Sequence, residues 1–140
     1  MSSPKEKQLA IKKLPDYQLK QKILYIDRTS PEILKNYGDL FFAEGNVSDA
    51  LDFYQKANYI EGIQKIKDAA LESGDVMLFG RAAKTLNEEL KPADWEKIGR
   101  IALNLKKYLF ARHALKEANN EELLNSLKQI LQAEGYEEIS

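Results

Sequence analysis

Residues 31–57 read PEILKNYGDLFFAEGNVSDALDFYQKA, and residues 92–118 read PADWEKIGRIALNLKKYLFARHALKEA. The two stretches share one pattern of small and large residues. Counted from Pro31, the positions three, six, seven, ten, nineteen, twenty-three and twenty-six places on hold Leu34, Tyr37, Gly38, Phe41, Ala50, Tyr54 and Ala57. Counted from Pro92, the same positions hold Trp95, Ile98, Gly99, Ala102, Ala111, Leu115 and Ala118. One such unit cannot bury its own apolar face, whereas stacked neighbours can, so a matched repeat bears directly on architecture.

Working outward, apolar residues recur at steps of three and four from Pro31 to Leu131, the period of a helix. Helix punctuation agrees. Ser30-Pro31-Glu32 supplies an N-cap, a proline at the first helical position and an acid at the positive helix end. Glu44-Gly45-Asn46 and Ser73-Gly74-Asp75 read as turns, Lys91-Pro92-Ala93-Asp94 as a start, and Asn104 to Lys107 as a third turn. Asn119-Asn120 before Glu121-Glu122 caps a last helix that Gly135 ends.

Setting Gly74 equivalent to Gly45 starts a middle unit at Ile60, with Ile63, Ile66, Ala70, Phe79, Ala83 and Leu86 at the apolar positions. Lys67 and Phe79 stand there where the outer units have glycine and alanine, which predicts a splayed hairpin or a register one turn off. Leu123, Leu124, Leu127, Ile130 and Leu131 form one stripe opposite Asn125, Lys128, Gln129 and Gln132, as in a one-sided closing helix. Leu19, Ile23 and Ile26 have the spacing of a second-helix face, and Ile11 with Leu14 would form a short partner helix stopped by Pro15.

The repeated residues resemble the tetratricopeptide repeat: Gly38 and Gly99 match its close-packed glycine, Ala50 and Ala111 its small second-helix position, and Tyr54 its aromatic. The resemblance implies an all-α fold, a short right-handed α-solenoid of about three helical hairpins with N- and C-terminal capping helices. Residues 1–140 are then a single repeat domain: 1–28 an N-terminal cap or decayed repeat, 31–59 repeat 1, 60–91 a degenerate repeat 2, 92–119 repeat 3, and 120–135 the C-terminal capping helix.

The same resemblance implies a concave groove lined by first helices and holding a peptide or helix of another protein. Its lining would be Lys35, Asn36, Asp39 and Phe42, then Gln64, Lys65, Asp68 and Leu71, then Glu96, Arg100, Leu103 and Asn104. These residues lie off the apolar stripe of each first helix. Phe42, a large apolar group beside mixed charge, has the character of an anchor. Asp39 would repel a partner's terminal carboxylate, so carboxylate clamping is not expected.

Composition narrows function further. Lys plus Arg number 21 against 22 for Asp plus Glu, which lacks the positive excess of a general nucleic-acid binder. The six lysines among residues 1–22 and the glutamates near the end read as solvated faces. No apolar run approaches the ~20 residues of a membrane span, and residues 1–8, MSSPKEKQ, lack a signal-peptide core, so no membrane association and a cytoplasmic location are expected.

With no cysteine and one histidine, His113, the chain offers no thiolate nucleophile and no metal-ligand set. Adjacent carboxylates such as Glu88-Glu89 diverge by ~100° on a helix and cannot face one bond. Trp95 reads as core. The expectation is a non-catalytic adaptor without cofactor or metal. Its alternative is a structural or regulatory subunit that forms homo-oligomers through its solenoid ends.

Overall fold

The computed structural model describes residues 14–26 and 28–135. Ile11, the side chain of Ile26, four of the six N-terminal lysines (Lys5, Lys7, Lys12 and Lys13) and the C-terminal glutamates Glu137 and Glu138 lie outside them. Among the described residues the chain is all-helical, without a strand. Helix α1 (Tyr17–Gln21) runs into a π-helical turn (Lys22–Ile26), followed by α2 (Pro31–Ala43), α3 (Val47–Lys56), α4 (Ile60–Ser73), α5 (Val76–Thr85), α6 (Pro92–Asn104), α7 (Tyr108–Glu117) and α8 (Glu121–Ala133). The residues divide into two compact units, one ending at Ile66 and the other beginning at Lys67.

Local signals start and stop these helices. The Ser30 hydroxyl accepts from the Ile33 amide (3.3 Å), Asp75 from Leu78 (3.1 Å) and Asn120 from Leu123 (3.0 Å), each satisfying an amide that the first turn leaves orphaned. Asp94 reaches back to the Lys91 amide at 2.9 Å. The turns close by one device, a left-handed residue whose neighbouring amides bond back onto the helix end. After α2 this is Gly45, with Gly45 N–H on Phe42 and Asn46 N–H on Phe41. Gly74 and Lys106 do the same after α4 and α6, each fourteen places after its helix start, as Gly45 is. Asn58, Asn87 and Asn119 close α3, α5 and α7 in the same way, each twenty-seven places after Ile60's counterpart in its own pair (Pro31, Ile60, Pro92).

Three helix pairs therefore follow one local plan, with second helices of ten residues each. Helix starts are spaced by 29, 32 and 29 residues from Pro31 to Glu121. Residues 89–91 are the surplus in the longer linker. Gly135 also falls fourteen places after Glu121, so α8 has the length and stop of a first helix. In the middle pair the turns fall at the same places as in the outer two, despite Lys67 and Phe79. The Lys67 ammonium lies 5.6 Å from the Phe79 ring centre and pairs with Glu88.

In the first unit α2 packs on α3. Its core holds Leu34, Phe41, Leu51, Phe53 and Tyr54, with the Phe53 ring stacked on both Tyr37 and Phe41. The π-helical turn packs against α3 and buries Ile23 and Leu24, whereas Leu19 is 46% exposed. The expected Leu19–Ile23–Ile26 face is thus corrected. A π-turn places five residues per hydrogen-bonded step and rotates the buried face away from four-residue spacing. Leu14 and Pro15 are not helical. In the second unit α7 packs on α6, α8 and α5. Ala70, Val76, Phe79, Ile98, Ala102, Ala111, Ala114, Leu127 and Leu131 make its core, and Leu127 and Leu131 come from the apolar stripe of α8.

Candidate functional site

In the first unit the stripe Leu34, Gly38, Phe41 faces α3 and leaves Lys35, Asn36, Asp39 and Phe42 beside it. What organises them is Tyr54. Its ring is fully buried against two glycines. A Cβ on Gly38 would fall 2.5 Å from Tyr54 Cε1, and one on Gly62 would fall 2.8 Å from Cδ2. The Tyr54 hydroxyl donates to Oδ1 of exposed Asp39 at 2.6 Å. Burial, and then the neighbouring Asp39 carboxylate, push the Tyr54 hydroxyl well above the ordinary tyrosine range.

Tyr59 meets the Tyr54 ring edge-on with centres 5.4 Å apart, and Lys35 Nζ lies 4.8 Å over Tyr59. Lys65 Nζ lies 4.3 Å over the ring of half-buried Phe42. Lys35, Asp39, Phe42 and Lys65 are therefore held by aromatic and hydrogen-bond contacts, with Asn36 and Gln64 half-buried on the same helices. Charged groups fixed over aromatic faces lose less freedom on binding than mobile surface side chains do.

The second unit treats its share of the expected lining differently. Leu71 and Leu103 are half-buried against the core cluster. Glu96 accepts from Asn120 Nδ2 at 2.7 Å and from Arg100 Nε at 3.5 Å, tying α6 to the residue that caps α8. These three make structural contacts. Asp68, Arg100 and Asn104 are exposed.

A feature that periodicity did not reveal lies in the second unit, an open groove of about 670 Å³ lined by Met77, Gly80, Lys84, Glu89, Trp95 and His113 among others. Trp95 is corrected from core to wall, since it is half-buried, packs on the core and also lines the groove. Gly80 has only Trp95 Cη2 near its missing Cβ, at 3.4 Å. Exposed His113 meets the indole edge-on at 5.8 Å. The surplus residues 89–91 border this groove through Glu89 and Leu90, so the 32-residue spacing was its one sequence signal. Among the described residues no cluster of His, Asp or Glu is arranged to hold a metal ion. No helix there is long and apolar enough to cross a membrane.

Comparison of the chain with protein-family models, with curated proteins and with solved structures returned no match.

Proposed function

We propose that this chain is a non-catalytic protein-interaction module whose tetratricopeptide-like hairpins stack as a short solenoid and hold a partner's peptide or helix on the first-helix face. The recurrent turns at Gly45, Gly74 and Lys106, and at Asn58, Asn87 and Asn119, support a repeating unit of this kind. The glycine–large-residue contacts support it too, since Gly38 against Tyr54 has a counterpart in Gly99, whose missing Cβ would lie 2.9 Å from Leu115 Cδ2.

The observation that carries the functional reading is Phe42, a half-buried ring off the packing stripe and capped by the Lys65 ammonium. An apolar anchor beside fixed charge is the usual make-up of a binding hot spot. A pull-down from the native cytoplasm with wild-type protein and with Phe42→Ala/Lys65→Glu tests it. Partners held by the wild type and lost by the variant, with helicity unchanged, are the expected result; an identical partner set refutes the site.

Self-assembly is the second reading, and exposed Leu105 and Leu109 at the α6–α7 turn favour it. Light scattering across concentration decides between a monomer and an assembly that Leu109→Asp dissolves.

A further inference from the structure

The run Tyr17–Ile26 has the ten-residue length of the second helices, yet it is attached by other means. The fourth residue of each second helix is a close-packed core residue: Ala50, Phe79 and Ala111. The fourth residue of this run is Lys20. Its ammonium leaves the segment and bonds Asp49 at 2.6 Å and Asp52 at 2.8 Å, two carboxylates three residues apart on one face of α3. The Lys20 side chain is only 12% exposed. Burial alone would lower its pKa, but the two carboxylates outweigh that and raise it, so the group is held as a cation.

Apolar attachment is confined to two residues. Ile23 and Leu24 are buried, while Tyr17 (74%), Leu19 and Tyr25 (66%) stand in solvent. The backbone there is a π-turn, which forms less readily than an α-helix, and the Thr29 hydroxyl closes it weakly on the Ile23 carbonyl at 3.4 Å.

We propose that Tyr17–Ile26 is an electrostatic strap, closed over α3 while Lys20 engages Asp49 and Asp52, and opened when that cluster loses its charge balance. Opening leaves a charged lysine nothing to lose by solvation and uncovers the part of α3 under Ile23 and Leu24. The closed state keeps that apolar surface from other partners. A ten-residue segment held by one ion cluster and two buried side chains separates from the hairpin below its global unfolding, as locally unstable elements do.

Amide hydrogen exchange on the whole protein tests this, with Lys20→Gln and, independently, Asp49→Asn/Asp52→Asn. Both variants should speed exchange in residues 20–26 by about tenfold or more, the scale of a charge-assisted hydrogen bond, and leave Pro31–Lys56 protected. Lys20→Arg should restore slow exchange, and a dye that binds apolar surface should brighten only with the two opened variants. Unchanged exchange in residues 20–26 overturns the strap. So does faster exchange spread evenly through Pro31–Lys56, because Lys20 would then support the whole hairpin.

Discussion

The Tyr54 hydroxyl donates to the Asp39 carboxylate at 2.6 Å, joining the largest fully buried side chain to a surface acid on the preceding helix. One residue thereby connects packing to the candidate face. Its ring fills the space left by Gly38 and Gly62, and its polar end fixes Asp39. Replacing Tyr54 with Phe keeps the ring and removes the bond. The expected cost is about 1–2 kcal/mol, read from the urea midpoint, because the acceptor is charged but partly solvated. Asp39→Ala should cost a similar amount.

Alkaline pH offers a second view of the same bond. Unfolded tyrosine loses its proton near pH ~10, and in the folded protein burial and Asp39 hold the Tyr54 proton to higher pH. Above pH ~10 the unfolded chain therefore binds fewer protons than the folded one, and stability falls as pH rises toward the raised folded value. The contribution is complete below that pH. Unfolding midpoints measured from pH ~8 to ~11 should decline more steeply for wild type than for Tyr54→Phe.

Close packing makes a prediction that sequence and structure share. Ala50 and Ala111 are fully buried at the helix crossings, so Leu at either position should cost ~1–3 kcal/mol by overpacking. Gly38→Ala should cost a comparable amount, since its Cβ would collide with the Tyr54 ring rather than with a movable chain end. Calorimetric melting points check all three, and an unchanged Ala50→Leu melting point contradicts the packing described for α2 and α3.

Lys106 is the reverse case. It adopts φ 59° at the turn position that Gly45 and Gly74 fill, and a lysine Cβ is disfavoured there. Lys106→Gly should stabilise the protein by about 0.5–1 kcal/mol, the relief of strain being partly offset by the freer unfolded chain. Thermal denaturation measures the sign.

These elements differ in how far they could be read beforehand. Ser30-Pro31, Gly45, Gly74 and Gly135 mark boundaries because backbone chemistry allows few residues at those points, and the helices begin and end where those residues stand. Asn58, Asn87 and Asn119 carry the same kind of signal at matched spacing, but asparagine is common in loops and the recurrence emerges only with the turn geometry. Lys106 gives no such sign. Lys35, Asp39 and Phe42 could be placed off the stripe from periodicity alone. Their contacts with Tyr54, Tyr59 and Lys65 depend on distances between helices, which no local pattern contains. The π-turn that exposes Leu19 and the groove beside Trp95 arise from one-turn and three-residue irregularities, and average periodicity passes over both.

The proposed first-helix binding face is tested most directly by site-specific photocrosslinking in cells. A photoreactive residue is placed singly at Asn36, Asp68 or Arg100 on first helices, and at Gln55, Lys84 or Lys116 on second helices. The account predicts one partner band shared by the three first-helix positions and absent, or far weaker, at the second-helix positions. A partner captured only from Gln55, Lys84 or Lys116 would contradict it.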